Sequence, residues 1–286
     1  MDTTACRKRL LGLIAERGSM LVAFSGGVDS SLLALLAREA LGDKSRCVLL
    51  DSPLVPREEV DEARRIARDY NLQFEILPVT VMDDKQFAKN PAERCYWCKK
   101  NTAAVLKRRA QELGLSCVAD GINVSDTGEH RPGLAASNEE GIVHPFLDAG
   151  MTKNDVRECA RAGGFDFWDK PPAACLASRI PYGDAITTEK LRMVEEAEKF
   201  LHKKGLRQVR VRVHGTIARI EVPKEMMHVV LGMHAEVAGA LFALGFSYVT
   251  LDLQGYRSGS MDEVLVCRQK NVVKNSPGDT DDRTDV

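Results

Sequence analysis

A glycine-rich segment, SGGVDSS at residues 25–31, has the residue types of a phosphate-binding loop. Gly26 and Gly27 permit positive φ and carry no Cβ, so successive backbone N–H groups can converge on a phosphate at the start of the following helix. Asp29 can hold a magnesium ion that offsets the phosphate charge. An ordinary strand-to-helix turn is the simpler interpretation, and the lysine of a Walker A loop is missing. We predict nucleotide contacts from Ser25, Gly26, Gly27, Val28, Asp29, Ser30 and Ser31.

The elements around this segment indicate a parallel sheet. The apolar run MLVAF precedes the loop, and LLALLAREAL has helical periodicity after it. The pattern then repeats, with predicted strands in CVLLD, QFEILPV and SCVADG, and predicted helices in REEVDEARRIARDY and from 91 to 113. Alternating strands and helices are typical of an α/β fold with a doubly wound parallel sheet, in which ligands bind at the carboxyl ends of the strands.

Polar residues follow two other predicted strands. Residues 121–145 show no sustained period and are predicted to form a long loop, which in compact domains is usually functional. Asn123 and Asp126 in this loop could reach a nucleotide or magnesium, or could simply form a turn. Asp51 ends the second strand, where it could lie near adenosine or cap a turn.

The second half of the chain predicts a further, smaller domain. A helix capped by Thr152 is followed by the proline-rich run PPAACLASRIPYGD, and then by a long helix, two strands, a helix over 226–245 and a last strand. We predict a nucleotide-binding domain at 1–170, a connector carrying Cys175 at 171–186, a smaller C-terminal α+β domain at 187–270 and a disordered tail at 271–286.

Composition excludes several classes of protein. The 286 residues are 44% hydrophobic, and 40 basic against 41 acidic residues give a net charge of −1, so no global field favours nucleic acid or anionic lipid. There is no apolar run of the roughly 18 residues that a membrane span needs, and a cytoplasmic protein without a membrane partner is expected. The eight cysteines are then expected to be free thiols.

Several segments together resemble one family. SGGVDSS matches the PP-loop of the ATP pyrophosphatase superfamily. With DGINVSDTGEHRPG, PPAACLASRIPYGD, VRVRVHG and LDLQGYRSGSMDEVL, the chain is similar to the LarE-type ATP-dependent sulfur transferases up to about residue 266. The resemblance implies a PP-loop fold of the adenine nucleotide alpha hydrolase type, ATP and Mg²⁺ as cofactors, and hexamers. It implies adenylation of pyridinium-3,5-biscarboxylic acid mononucleotide, followed by thiocarboxylate formation for the nickel-pincer cofactor.

In that family a cysteine in the ACLASR context attacks the adenylated carboxylate, which by resemblance is Cys175. The neighbouring Arg179 would favour its thiolate and is predicted as a catalytic residue, together with Asp29. A cysteine packed in the core is the simpler alternative. The simplest members of the family give up the sulfur of this cysteine itself.

RCYWCKK adds Cys95 and Cys98, which share one face of the predicted helix. With Cys175 they make three thiolates, the number that holds a [4Fe–4S] cluster with one open iron, as is proposed for three-cysteine members of the family. An extra sulfide on that iron would spare the cysteine, and the replacement sulfide would come from free sulfide or a cysteine desulfurase. A structural zinc or a buried pair of cysteines is the alternative.

Alternation along RQVRVRVHG places Arg210, Arg212 and His214 on one strand face. Both arginines could bind a phosphate or carboxylate of the substrate, although a solvated face has the same pattern. Further candidates of this kind are Arg257, Ser258 and Arg131. Glu198 and Glu221 are expected to be solvated.

The function we expect is ATP-dependent sulfur transfer to a small-molecule nucleotide. A PP-loop tRNA thiolase and an ammonia-using synthetase are rival enzymes. The near-neutral charge argues against RNA, and the synthetase would leave the cysteines without a task. A non-catalytic nucleotide or iron–sulfur sensor is the rival from another class, and it predicts ATP binding without pyrophosphate release.

Overall fold

The computed structural model describes residues 3–127 and 132–263. Arg131 and the predicted tail at 271–286 lie outside these residues. By its contacts the chain divides into two units, Met1–Lys199 and Phe200–Val286. The predicted boundaries are different: the first domain is predicted to end at 170 and the second to begin at 187. In the structure the predicted connector at 171–186 and most of the long helix that follows it belong to the first unit.

The first unit contains a parallel sheet with the strand order β3-β2-β1-β4. Its strands are β1 (Met20–Ala23), β2 (Ser45–Asp51), β3 (Phe74–Pro78) and β4 (Val118–Ala119). Its helices are α1 (Thr3–Ala15), α2 (Val28–Leu41), α3 (Arg57–Asp69), α4 (Lys85–Ala88), α5 (Arg94–Glu112), α6 (Pro132–Glu139), α7 (Pro145–Asp148) and α8 (Lys153–Ala162). The next helix, α9 (Thr188–Lys203), begins in the first unit and ends in the second. The predicted α/β fold is confirmed.

Both faces of this sheet are covered, which explains why its central strand is apolar throughout. Met20 and Val22 pack on one face into a core with residues of α1, α2, α3 and α8. Leu21, between them, packs on the other face with Ala103 and Leu106 of α5. Because successive side chains of a strand point to opposite faces, β1 has no polar position and reads as a continuous apolar run.

The predicted long loop at 121–145 is wrong in part, because it contains α6. Proline at the first helical position favours this start, and Ala136 and Ser137 are both fully buried. Eight residues without an apolar stripe give no periodic signal, so packing against neighbouring elements decides the structure here.

The second unit contains the sheet β5-β6-β7, formed by Arg210–His214, Ile217–Glu221 and Tyr248–Leu251. β5 and β6 are antiparallel, and β6 and β7 are parallel. The predicted single helix over 226–245 is two helices, α10 (Met227–Gly232) and α11 (His234–Ala243). With the 3₁₀ turn before it, α10 forms the segment Lys224–Gly232, which is bent by 81° against α11. Across the described part of the chain, no single helix has the length and apolarity of a membrane span, and only this bent pair meets that test by length and composition.

Candidate active site

The glycine loop joins β1 to α2 at the carboxyl edge of the first sheet, as predicted. Gly26 has φ +72°, and a Cβ there would lie 2.9 Å from the Cα of Ala63 in α3. Gly27 is the N-cap residue of α2. Because glycine has no side chain, it makes no capping hydrogen bond to the first turn of this helix. The start of a helix with free N–H groups attracts an anion, so the loop has the geometry of a phosphate site.

The three serines of the loop have different surroundings. Ser30 is buried and holds the loop together: its Oγ accepts from the Ser25 N–H at 3.1 Å and donates to the Gly27 carbonyl at 3.2 Å. Ser31 is fully buried, and its Oγ has no hydrogen-bond partner within residues 3–127 and 132–263. Ser25 is exposed at the loop and is the serine best placed to meet a ligand.

Asp29 lies in the first turn of α2, beside two residues from other elements. Lys153, the first residue of α8, forms an ion pair with its carboxylate. Asn123 lies within 3.5 Å of the same carboxylate through its side-chain amide. A Cβ on Gly121 would come within 2.8 Å of the Asp29 Cβ, so the chain after β4 packs directly against the loop. The structure thus brings Asp29 and Asn123 together and adds a lysine that the sequence analysis missed.

Asn123 and Asp126 form a capping box around the 3₁₀ turn Val124–Asp126. The Asp126 carboxylate accepts from the Asn123 N–H at 3.1 Å, which fixes the backbone next to Asp29. Asp51, at the end of β2, pairs with Arg57 at 2.6 Å. These residues all lie at the predicted carboxyl edge, but Asp126 and Asp51 are engaged in local structure.

A second lysine that was not predicted, Lys170, contacts a backbone carbonyl of the loop. The Nζ of Lys170 donates to the Gly26 carbonyl at 3.0 Å and to Glu59 of α3 at 2.7 Å. Lys170 follows α8 and precedes the segment that carries Cys175. Neither Lys153 nor Lys170 belongs to a local sequence motif. The only related feature in the sequence is Thr152, which predicts that a helix begins at Lys153.

A buried polar cluster lies directly after β4. The carboxylate of Asp120 contacts Nδ1 of His144 at 2.6 Å and Nζ of Lys99 at 2.9 Å. Nε2 of His144 lies 3.1 Å from the side-chain oxygen of Asn138. Burial by itself would raise the pKa of Asp120, but the contacts with His144 and Lys99 outweigh it and lower that pKa below its usual value. The cluster connects β4, α5 and α6 by charge-assisted bonds.

We expect Asp120→Asn to destabilise the first unit by about 2 kcal/mol, because it removes the carboxylate that contacts the buried His144 ring and the partly exposed ammonium of Lys99. The carboxylate form stabilises the fold above the unfolded pKa of about 4, and this contribution is lost as the pH falls through the lower folded pKa. The variant should therefore lose less stability than the wild type on acidification below about pH 4. Urea unfolding followed by tryptophan fluorescence measures both effects.

Asp61→Asn is the matched control, because Asp61 pairs with Arg64 at 3.1 Å on the exposed surface of α3. Its expected cost is below about 0.5 kcal/mol. Equal stabilities of the two variants would contradict a structural role for the buried cluster.

The three predicted metal ligands lie near one another. Cys95 and Cys98 are in the first two turns of α5, and Cys175 precedes the 3₁₀ turn Leu176–Arg179. Burial raises the pKa of Cys98 to about 12, and the neighbouring thiols of Cys175 and Cys95 contribute to the increase. Among the described residues, however, no group of three or more histidine, cysteine or acidic side chains is arranged to hold a metal ion. The three thiols are neighbours without a formed coordination geometry.

Cys175 keeps exposed surface, as predicted, but the pKa of its thiol is raised. Protein atoms crowd the thiol, and this desolvation raises its pKa; Arg94 and Arg179 act in the opposite direction without reversing the increase. The charge of Arg179 favours the thiolate, as predicted, but the desolvation of the thiol outweighs that charge, so the pKa of Cys175 is raised overall.

Arg179 is buried and shapes the backbone around Cys175. Its guanidinium binds both carboxylate oxygens of Glu198, at 2.9 and 2.8 Å, and donates to the carbonyls of Ala174 and Cys175 at 2.8 and 3.0 Å. Glu198 is only 5% exposed, so its expected solvation is wrong. Arg179 acts on Cys175 by holding its peptide groups in place.

A second contact ties the cysteine segment to the helix of the other thiols. Asn90 is fully buried, and its amide donates to the carbonyls of Ile180, Pro181 and Asp184 at 3.2, 2.7 and 3.0 Å. Arg94, next to Cys95, binds Asn90 Oδ1 at 2.6 Å. These bonds keep Cys175 close to the start of α5, and neither Asn90 nor Arg94 is among the predicted site residues.

The arginines of the second unit differ from the prediction. Arg212 is 5% exposed and pairs at 2.8 Å with Glu221, which is fully buried and also binds Arg219. A solvated Glu221 and a ligand-facing Arg212 are therefore both wrong, because Glu221 on the neighbouring strand β6 pairs with Arg212 and both side chains are buried. Arg210 lies over the ring of Tyr256 at 5.6 Å.

Arg257 pairs with Glu263 at 2.9 Å. Ser258 follows it in a turn near the end of the described chain. Arg210, Arg257 and Ser258 remain predicted substrate contacts.

The fold and the glycine loop define a PP-loop nucleotide-binding α/β protein. Residues 12–112 match the NAD synthase family model. The chain is 38% identical over 263 residues to an uncharacterized protein of Synechocystis, covering 90% of this chain and 97% of that protein. It is 35% identical over 271 residues to the pyridinium-3,5-bisthiocarboxylic acid mononucleotide synthase of Lactiplantibacillus plantarum, covering 94% and 98%. It is also 24% identical over 277 residues to a component of the glutamine-hydrolyzing GMP synthase of Methanococcoides burtonii, covering 90% and 84%.

The chain belongs to the family of the pyridinium-3,5-bisthiocarboxylic acid mononucleotide synthase, the LarE-type sulfur transferases.

Proposed function

We propose that this protein is an ATP-dependent sulfur transferase acting on pyridinium-3,5-biscarboxylic acid mononucleotide. A carboxylate oxygen attacks the α-phosphorus of ATP and pyrophosphate leaves; sulfur then attacks the acyl carbon and AMP leaves. Adenylation is needed because the carboxylate oxygen is a poor leaving group and AMP is a good one. The observation that carries the proposal is the similarity to the bisthiocarboxylic acid mononucleotide synthase over 94% of this chain.

The glycine loop supports the adenylation step. Its backbone N–H groups and Ser25 would bind the departing pyrophosphate, whose charge Lys153 helps to balance. Asp29 offers carboxylate oxygens with a quarter of its side chain exposed, which suits a magnesium ion. Bound Mg²⁺ would neutralise phosphate charge during the displacement. Asn123, Asp126 and Asp51 would support the nucleotide at the same sheet edge.

Cys175 would deliver sulfur, either its own or one held beside it. If its own sulfur is used, the thioester sulfur leaves with the substrate, the Cβ–S bond breaks, a proton leaves Cα, and dehydroalanine remains. Arg179 and Asn90 would position the cysteine, since Arg179 binds the carbonyl of Cys175 itself and Asn90 binds the backbone a few residues after it. A fixed backbone holds the sulfur close to the acyl carbon.

Three neighbouring thiols are a donor set of the kind that iron–sulfur clusters use, and in this respect the residues fit the predicted group. We propose Cys95, Cys98 and Cys175 as ligands of a [4Fe–4S] cluster, whose binding would draw the three thiols into one coordination geometry. Such a cluster would supply an expendable sulfide, so that the cysteine survives turnover. The closeness of the three thiols supports this proposal, since Cys95 and Cys175 both help to raise the pKa of Cys98.

Anaerobically purified protein is expected to contain about four irons per chain, and Cys95→Ala to lose them. Cys117→Ala is the matched control, because the Cys117 thiol is half-buried and donates to the carbonyl of Ser19 at the start of β1. Iron and acid-labile sulfide assays, with the visible absorption of the cluster, provide the measurement. A wild type without iron, or equal iron in all three proteins, would rule out the cluster.

Recognition of the substrate would involve anion-binding residues of the second unit. We propose Arg210, Arg257 and Ser258 for the phosphate or the second carboxylate, with Arg131 as a further contact. We also propose a cytoplasmic homo-oligomer, a hexamer by family resemblance, supplied by free sulfide or a cysteine desulfurase. Small-molecule partners agree with the near-neutral charge.

The experiment that tests the function is a product assay with two possible acceptors and an arm without an acceptor. The protein is incubated with ATP and Mg²⁺ together with the bis-carboxylate nucleotide, with transfer RNA, or with no acceptor. AMP and pyrophosphate are quantified, and the thiocarboxylate is identified by mass spectrometry. Pyrophosphate release only with the pyridinium nucleotide is the expected result. Release only with RNA would identify a thiolase, and ATP binding without release in any arm would identify a sensor.

A further inference from the structure

Lys170 contacts the glycine loop at one peptide group, and both its ammonium and its own backbone carbonyl are bound by other residues. Its ammonium lies 3.0 Å from the Gly26 carbonyl and 2.7 Å from Glu59, and its side chain is only 14% exposed. Its own carbonyl accepts from Arg157 at 2.7 Å. A lysine restrained at both backbone and ammonium loses little further freedom when it holds its partner.

The peptide that Lys170 contacts is the one that must face a phosphate. Gly26 supplies the carbonyl and Gly27 the N–H of a trans peptide, so the two groups point in opposite directions. The carbonyl faces Lys170, and the N–H therefore faces away from it, toward Ser25. The acceptor of that N–H in the structure is Ser25 Oγ at 3.4 Å, a long contact that an anion can replace.

Helix α3 supports the same peptide. Ala63 and Glu59 lie one turn apart on α3: Ala63 leaves no room for a Cβ on Gly26, and Glu59 binds the ammonium of Lys170. Two glycines in sequence can exchange between several backbone states at small cost. The ammonium of Lys170, bound to the Gly26 carbonyl, favours the backbone state in which the Gly27 N–H is free to bind an anion.

We propose that Lys170 is a positioning residue that fixes the Gly26–Gly27 peptide so that its N–H binds the pyrophosphate leaving group. The inference rests on the proposed function, because it assumes that pyrophosphate occupies this loop. Since Lys170 also begins the segment leading to Cys175, the same residue links the orientation of the loop to the cysteine segment.

The test is isothermal titration of the full chain with inorganic pyrophosphate and, separately, with AMP. Lys170→Met is expected to weaken pyrophosphate binding about tenfold, since it releases the peptide, and to change AMP binding less than about twofold. Lys107→Met is the matched control, because Lys107 lies on α5 and pairs with Glu140 at 3.1 Å instead of contacting the loop. This variant should bind both ligands as the wild type does. Lys170→Arg, which can still donate to the carbonyl, should restore most of the affinity.

Unchanged pyrophosphate affinity in Lys170→Met would overturn the inference, and so would equal losses for pyrophosphate and AMP, which indicate a merely structural role. If Lys170→Met does not fold, Glu59→Gln is tested in its place. It should weaken pyrophosphate binding about threefold and leave AMP binding unchanged. Unchanged pyrophosphate binding in this variant would also overturn the inference. The titration needs no acceptor substrate. Failure of the proposed function would appear instead in the wild-type product assay.

Discussion

Cys175→Ala is expected to form no thiocarboxylate while still consuming ATP. The alanine has no sulfur, whereas the glycine loop, Asp29 and Lys153 that support adenylation are untouched. The adenylated substrate then has no nucleophile and accumulates, so pyrophosphate should appear as a burst of about one per active site. Rapid-quench measurement of pyrophosphate, with mass spectrometry of the nucleotide product, distinguishes the two half-reactions.

Cys117→Ala provides the comparison, since it removes a thiol at the opposite end of β1 from the loop. It should give thiocarboxylate at the wild-type rate. Thiocarboxylate formation by Cys175→Ala at the parental rate would exclude this cysteine as the sulfur donor or as an obligatory ligand. Complete loss of the pyrophosphate burst would instead assign Cys175 a part in adenylation.

Gly26→Ala is expected to reduce ATP-dependent pyrophosphate release at least a hundredfold, because small displacements of binding groups have large kinetic effects. Two separate physical reasons apply. The residue has φ +72°, which costs an alanine about 1–2 kcal/mol, and its Cβ would lie 2.9 Å from the backbone of Ala63. Since α3 cannot give way at a backbone atom, the loop itself must move.

Gly18→Ala separates these two reasons. Gly18 has φ +73°, almost the same angle, but a Cβ there would meet nothing within 4 Å among the described residues. We expect it to lose about 1–2 kcal/mol of unfolding free energy and to keep wild-type pyrophosphate release. Urea unfolding and the coupled pyrophosphate assay are the measurements. Similar activities of the two variants would show that the close approach of α3 does not matter for the loop.

The nucleotide-binding half could be predicted from the sequence because its signals are local. A wholly apolar β1, a diglycine turn and a periodic α2 follow one another within 22 residues, from Met20 to Leu41. The fold around them repeats that pattern, and the capping box of Thr152 marks the start of α8. α6 lacks such a signal and depends on burial of Ala136 and Ser137, which only the folded chain reveals.

The site was less predictable, because its charges come from distant parts of the chain. Nothing near Lys170 or Lys153 in sequence indicates that they meet the glycine loop. The alternation in β5 correctly grouped Arg210 with Arg212. It could not show that Glu221 on β6 neutralises Arg212, since strand pairing is a property of the folded sheet.

The ion pair between Asp29 and Lys153 spans 124 residues of sequence. A nascent chain on the ribosome therefore completes its glycine loop long before the cation that faces it has been synthesised. Until α8 has been synthesised and packs against the sheet, the carboxylate of Asp29 in the loop lacks its lysine partner. This ion pair can therefore form only late in synthesis, after most of the first unit has been translated.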